Sequence, residues 1–417
     1  MTPAVVRRGL ALLLLACCVG TAPVTASAAP AAAAEDALDA VLDVLDTRFL
    51  RPERVRVVFS EAERARLRAF ARDEGLAGLA PALDARLRAL GVSHTRFVAD
   101  GGFDHAFYRS LFDLADPDAP PIWHLRAFLT PGDDGGQRVV HVAEGGPAAR
   151  AGLRRGDVLH RTGGGAFRPV RDLAGGEALD LEVRRGDARF TARLVPEWSS
   201  PHRALIEASR ASAELVEVDG QRIGYFHLWA GTHAEVLEAL DVAVLELFAD
   251  ADGVILDLRG GFGGAWHDHL DPFFPDREGF FEVTSLDRDG AAEQFGPGPR
   301  RDVGHYDGPL VVLIDEGTRS GKEALAHQFR RSGRGLLVGA TTAGAFTAGL
   351  GTPGDGWFLY TAVAEPLLDG VVIEGRGVAP RVAVPWPVDA AGDGDPQLAT
   401  ARRHLLDCIE AGAGCGT

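Results

Sequence analysis

Apolar positions change their rhythm along the chain. Between residues 35 and 90 they recur at helical spacing, Ala37, Leu38, Val41, Leu42 and Leu45 forming one stripe and Leu79, Leu83, Leu87 and Leu90 another. This predicts small helices packed ahead of the main body. From residue 200 onward, short apolar runs alternate with amphipathic segments. Residues 223–228, 253–258 and 310–314 read as strands, residues 234–248 and 323–331 as helices, and Leu336-Leu337-Val338 as a further strand. The run Leu310-Val311-Val312-Leu313-Ile314 has no polar interruption, which suits a parallel strand buried on both faces. Strand–helix units with short links predict a mostly parallel sheet with right-handed crossovers. Residues 123–197 differ in character. There the apolar run Val139-Val140-His141-Val142 leads into the small-residue segment Pro147-Ala148-Ala149-Arg150-Ala151-Gly152 and a Gly156-Asp157 turn.

Two turns at strand ends carry the candidate chemistry. After Ile314, the short turn Asp315-Glu316-Gly317-Thr318-Arg319-Ser320 puts Ser320 at a turn-to-helix junction. Backbone N–H groups there lack helical partners and the helix dipole favours negative charge. A serine oxygen at such a junction sits beside donors suited to a tetrahedral oxyanion. The same residues also fit a helix cap, since Ser320-x-x-Glu323 has the capping-box spacing. The second turn, Arg259-Gly260-Gly261-Phe262-Gly263-Gly264, follows the strand at 253–258, where open α/β sheets place their sites. It lacks a G-x-G-x-x-G spacing opening a helix, and Gly317 to Lys322 is one residue short of a P-loop with Glu323 where Ser or Thr belongs, so nucleotide binding is not indicated.

A length of 417 residues predicts two or three domains. The formal charge of -16 argues against nucleic acid or anionic membrane as partner. Residues 1–28 read as a secretory signal: Arg7-Arg8, an apolar core from Leu10 to Val19, and the small-residue site Ala26-Ser27-Ala28. That core is about half the roughly twenty residues a membrane-spanning helix needs. Export to the periplasm or the exterior is therefore expected. Leu14-Leu15-Ala16-Cys17 also resembles the lipobox of bacterial lipoproteins, with an untypical Leu15, making a lipid anchor at Cys17 the minor alternative. Residues 29–34 read as a disordered Ala/Pro spacer. Cys408 and Cys415, the cysteines left after the signal, are expected to form a small disulfide. The cluster His267-Asp268-His269 with Asp271 reads as a solvated loop rather than a metal site, for want of further ligands. No metal and no cofactor are expected.

Together, the Thr318-x-Ser320-Gly321-x-Glu323 turn, the Val338 to Gly344 segment and the run Val254 to Gly264 resemble the serine peptidases that include the tail-specific, carboxy-terminal processing proteases and the tricorn core protease. The similarity spans about residues 94–384. It implies an α/β catalytic domain with a mostly parallel, crotonase-like or ClpP-like layout. Residues 139–159 resemble a bacterial PDZ domain, a mainly β module that binds chain ends by strand addition; read structurally, the same residues also fit a β-barrel spacer. The expected organisation is a signal (1–28), a spacer (29–34), an N-terminal helical segment (35–122), a PDZ-like domain (123–197), the α/β peptidase domain (198–400) and a C-terminal tail (401–417).

Serine needs a neighbouring base to act as a nucleophile. The processing proteases commonly use a lysine in a G-K-G segment, but here the segment reads Gly344-Ala345-Phe346, with Ala345 in the lysine's place. Lys322, the one lysine of the sequence, lies two helical positions beyond Ser320 and projects about 200° away from it. The tricorn-like branch instead uses a Ser-His-Ser-Glu tetrad. Its histidine closes an N-terminal helical segment, as Ser93-His94-Thr95 does here, and its glutamate lies in a late E-x-x-G-V-x-P segment, matched by Glu374 to Pro380. The resemblance thus implies Ser320 as nucleophile, His94 as base and then acid, and Glu374 orienting His94 through Ser93. It assigns the oxyanion donors to Gly321 with Gly263 or Gly264. Taken singly, His94 also fits a turn histidine and Glu374 a strand-end carboxylate. The implied activity is hydrolysis of protein or peptide substrates, recognised by their C-termini, through an acyl-enzyme. A histidine base predicts activity falling on acidification through about pH 6.5. Two other readings stay open: a non-catalytic ligand-binding protein, since the family also resembles retinoid-binding repeats of the eye's interphotoreceptor matrix, and a scaffold using only its PDZ-like module.

Overall fold

The alanine-rich run after residue 29 is helical: the first described helix is Pro30–Arg48 and Ala34 is already buried in it. Alanine loses least on entering a helix, and proline at the first position costs nothing because its missing N–H has no partner there. The expected spacer at 29–34 is thus largely the first turn of a packed helix. The computed structural model describes residues 30–416 apart from 114–115, 133, 390–393 and 413. The signal reading of residues 1–28, with Cys17, lies outside the described residues.

The chain forms two compact units, each assembled from separated segments. The first comprises the N-terminal region to Phe112 with Glu282–Gly298 and Ala345–Glu374. Here the expected boundaries change, because two stretches assigned to the α/β domain pack instead with the N-terminal helices. The strand Arg96–Ala99 pairs antiparallel with the long strand Trp357–Leu368, Phe97 opposite Leu359. That long strand also pairs with Ala348–Gly354, Val283–Asp287 and Val371–Val372. Both predicted leucine stripes are buried against this sheet through Trp357, Leu359 and Ala362. Burying such stripes is the main stabilising term available to these helices, at roughly 1.5–3 kcal/mol for each large apolar side chain.

The second unit comprises Asp113–Phe281, Pro299–Gly344 and Gly375–Thr417. Its main sheet runs in the order Val382–Ala383, Leu336–Gly339, Leu310–Ile314, Gly253–Asp257, Gln221–His227, Glu214–Val218. The first five strands are mutually parallel and the last is an antiparallel edge. All five residues of both central strands are buried, as their unbroken apolar runs predict. Within the expected C-terminal tail, residues 401–411 are helical. The helix Pro396–Ala411 lays Ala401 and Leu405 against Ile255, Val311 and Leu313, and Cys408 is disulfide-bonded to Cys415.

Residues 122–199 form their own layer of this unit. Five antiparallel strands between Ala127 and Leu194, with the short helices Pro147–Arg150 and Pro169–Asp172, enclose a separate core of Val139, Leu159, Phe167, Leu181 and Val183. The pair Ile122–His124 and Glu197–Ser199 closes it, Trp123 opposite Trp198. Among the described residues no helix is long and apolar enough to cross a membrane.

Candidate active site

In the second unit, Ser320 sits between the strand Leu310–Ile314 and the helix Gly321–Ser332 with φ 55° and ψ -132°. That is a conformation L-residues avoid, costing of order 1–3 kcal/mol, and it persists only where surrounding structure enforces it. The enforcement is visible. Asp315 Oδ1 accepts from the Gly260 and Gly317 N–H groups at 3.0 and 2.9 Å, and the Thr318 hydroxyl donates to the Leu258 carbonyl at 2.9 Å. The turn is thereby tied to the end of the neighbouring strand Gly253–Asp257.

Glu323, fully buried, fixes the turn from its other side. Its Oε2 accepts from the Ser320 N–H at 3.0 Å, the backward half of the capping box read from the sequence, while its own N–H goes to the Ser320 carbonyl at 2.7 Å. Its Oε1 accepts from the Thr342 hydroxyl at 2.6 Å and from Gly344 N–H at 2.7 Å. The glutamate half of the cap is therefore formed, and it anchors the serine. The link to Thr342 and Gly344 was not legible in the spacing.

The glycine loop lies directly against Ser320. A Cβ on Gly263 would stand 2.4 Å from Ser320 Cβ and 3.0 Å from the Arg319 carbonyl. On Gly264 it would strike Thr232 instead, at 2.3 Å. Of the two candidate loop glycines, Gly263 is the one packed on the serine. Gly321 is equally confined, since a Cβ there would reach 2.1 Å from the Ala265 carbonyl.

The first unit holds the remaining predicted residues. Ser93 Oγ lies 2.8 Å from His94 Nδ1 and donates to Glu374 Oε2 at 2.7 Å. Glu374 Oε1 accepts from the Ser93 N–H at 2.8 Å, and its Oε2 also from the Phe346 N–H at 2.7 Å. Because the one hydroxyl hydrogen of Ser93 goes to the carboxylate, Ser93 Oγ accepts from His94 Nδ1–H. The network thereby assigns the tautomer that leaves Nε2 as the basic nitrogen. His94 is 2% exposed, adopts φ 55°, and meets the Tyr360 ring edge-on at 5.0 Å.

One member of this cluster had no sequence signal. Thr347 Oγ1 stands 3.1 Å from both Ser93 Oγ and His94 Nδ1, and nothing in Ala345-Phe346-Thr347 marks it. Ala345 is buried.

The His267–Asp271 cluster departs from the solvated loop expected of it. His267, His269 and Asp271 are buried, Arg277 bridges Asp268 and Asp271, and His267 Nε2 pairs with the Phe281 carbonyl at 3.0 Å. Burial holds both imidazoles down at about 4. Among the described residues no group of three or more His, Cys, Asp or Glu side chains could hold a metal ion.

Comparison with known proteins places residues 222–384 in a match to the model of peptidase family S41. Carboxyl-terminal-processing peptidase 3 of Arabidopsis thaliana, a chloroplastic protein, is 29% identical over 262 residues, covering 58% of this chain and 50% of that protein. Tricorn protease homolog 2 of Streptomyces coelicolor is 26% identical over 354 residues, 78% of this chain and 28% of its own length. The chain thus spans half or less of these two relatives. Among solved structures, the photosystem II D1 C-terminal processing protease aligns with a TM-score of 0.50 at 22% identity over 91% of this chain and 98% of its own. An S41 protease from Bacteroides fragilis aligns at 0.52 and 16% identity, over 94% and 99%. These structural likenesses concern the fold.

Proposed function

We propose that this chain, matched to peptidase family S41 over residues 222–384, is an exported serine peptidase that hydrolyses protein or peptide substrates through an acyl-enzyme. The observation that carries the reading is the Glu374–Ser93–His94 chain of hydrogen bonds. A half-buried carboxylate could be satisfied by backbone donors and solvent alone. Here it is relayed through a hydroxyl to an imidazole whose tautomer it fixes.

In the proposed cycle His94 Nε2 takes the Ser320 proton as Oγ attacks the substrate carbonyl, and the imidazolium then gives it to the leaving amine. Water repeats the two transfers to release the acyl group. Glu374, acting through Ser93, keeps Nδ1–H in place and favours the imidazolium. The Gly321 N–H and a loop N–H, from Gly263 or Gly264, receive the oxyanion. Lys322 has no part as base, since its Nζ faces main-chain carbonyls. Residues 123–197, with their likeness to a PDZ domain, would dock substrate chain ends, in keeping with the names of the processing-protease relatives.

The test is turnover of unfolded, carboxymethylated casein by the wild type and by Ser320→Ala, together with fluorophosphonate labelling. Cleavage lost in Ser320→Ala, with labelling at Ser320 that disappears in His94→Ala, is the expected result. Labelling indifferent to His94→Ala would overturn the relay, and cleavage that survives Ser320→Ala would overturn the peptidase reading.

A further inference from the structure

Lys322 is the single lysine of the chain; the other 42 of its 43 Lys and Arg residues are arginine. It is fully buried at the second position of the helix Gly321–Ser332. A buried cation is costly unless its hydrogens are all matched. Its Nζ donates to three main-chain carbonyls, Gly260 at 2.5 Å, Leu228 at 3.1 Å and Trp229 at 3.4 Å. An ammonium carries three hydrogens and no acceptor, so three converging oxygens use its whole capacity. A planar guanidinium cannot aim at such a cluster from so short a reach, which gives a physical reason for lysine at this one place. Burial pushes the ammonium down to about 7, Asp315 and Asp257 act against that, and Arg319 adds to it.

The three carbonyls belong to two segments. Leu228 and Trp229 continue the strand Gln221–His227, whereas Gly260 opens the glycine loop. Backbone bonds join the same segments: Phe262 N–H donates to the Trp229 carbonyl at 2.7 Å and Gly231 N–H to the Gly263 carbonyl at 2.8 Å. The approach is so close that a Cβ on Gly261 would lie 2.0 Å from the Trp229 carbonyl. Lys322 joins both segments to the helix that begins at Ser320, and the glycine loop it grips is the one packed on Ser320 through Gly263.

We infer that Lys322 is a positioning residue for the glycine loop, its ammonium clamping Gly260 to Leu228 and Trp229 and so setting where the Gly263 and Gly264 N–H groups lie relative to Ser320. The kinetic consequence rests on the peptidase reading; the mechanical one does not.

Hydrogen exchange on peptides spanning residues 258–266 compares the full-length wild type with Lys322→Met. The expected result is loop protection reduced about tenfold or more while the strands at 253–257 and 310–314 stay protected. In the same variant kcat falls about 10²-fold with KM within about threefold, as for removal of an oxyanion donor. A peptide boronate, which mimics the tetrahedral oxyanion, weakens in parallel with kcat/KM. If Lys322→Met fails to fold, Lys322→Gln, which keeps a shorter neutral donor, enters the same comparison. Unchanged loop exchange, or unchanged kcat in an enzyme whose turnover depends on Ser320, overturns the inference. Turnover indifferent to Ser320→Ala overturns the peptidase reading instead, and loop exchange alone then decides for Lys322.

Discussion

Ser93 Oγ donates to Glu374 Oε2 at 2.7 Å across 281 positions of sequence. That hydroxyl also lies 2.8 Å from His94 Nδ1, so it links the carboxylate to the ring. Glu374 Oε1 also receives the Ser93 N–H, at 2.8 Å.

Replacing Glu374 with Gln retains the shape but puts an amide where a carboxylate accepted three hydrogens. Turnover is expected to fall about 10²-fold, with KM little changed and a weaker imidazolium, so that the acid limb of the rate profile moves to lower pH. Glu374→Asp is expected to restore part of the loss. Rate profiles of the three proteins from pH 5 to 9 decide the matter; an acid limb at the same pH in Glu374→Gln would remove Glu374 from the relay.

Gly263→Ala places a methyl 2.4 Å from Ser320 Cβ and 3.0 Å from the Arg319 carbonyl. Neither neighbour is the far end of a flexible chain, so the loop or the serine turn must shift. Fluorophosphonate labelling of Ser320 is expected to slow by about 10²-fold or more, the size of effect that a misplaced oxyanion donor produces. The rate constant for labelling is the measurement, and a rate near wild type would mean that the loop has slack.

Glu323 receives three donors in a fully buried place. In Glu323→Gln one of those donors faces an NH2 group. A loss of roughly 1–3 kcal/mol is expected, from a buried polar group left unmatched, read as a lowered midpoint in urea. Turnover should fall further than the lost stability explains, because the Ser320 N–H is among the three.

Acid should weaken the fold before it exhausts the carboxylates. Burial holds His124, His267 and His269 at about 4, whereas the unfolded chain takes up these protons near 6.5. For each, the stabilisation is present above pH 6.5 and is lost as pH falls toward 4, up to roughly 3 kcal/mol apiece. His227 has the opposite sign: burial alone would depress it, but Asp257 and Glu144 outweigh that and raise it. Its contribution is complete below pH 6.5 and fades as pH rises through the folded value. The urea midpoint should therefore drop between pH 7 and 4, and His269→Asn or His267→Asn should flatten the slope. An equally steep slope in both variants would assign the acid sensitivity to other groups.

Local events are written in the order of neighbouring residues. The apolar run at 310–314, its turn and the helix after it are dictated by near neighbours, so the position of Ser320 at a helix start and of the loop 259–264 at a strand end is legible in the residues. The two leucine stripes of the N-terminal helices were legible for the same reason, because a helical period is written within a few residues. Which distant segments share a unit is set by long-range pairing. The pairing of Phe97 with Leu359 draws 345–374 away from the parallel sheet, and strand pairing across such a separation leaves no periodic mark in either partner. The same holds for Thr347 beside His94, for Glu323 with Gly344, and for Lys322 among three carbonyls. Side chains of one residue type read alike in sequence, and only the packing around them fixes which atoms they meet.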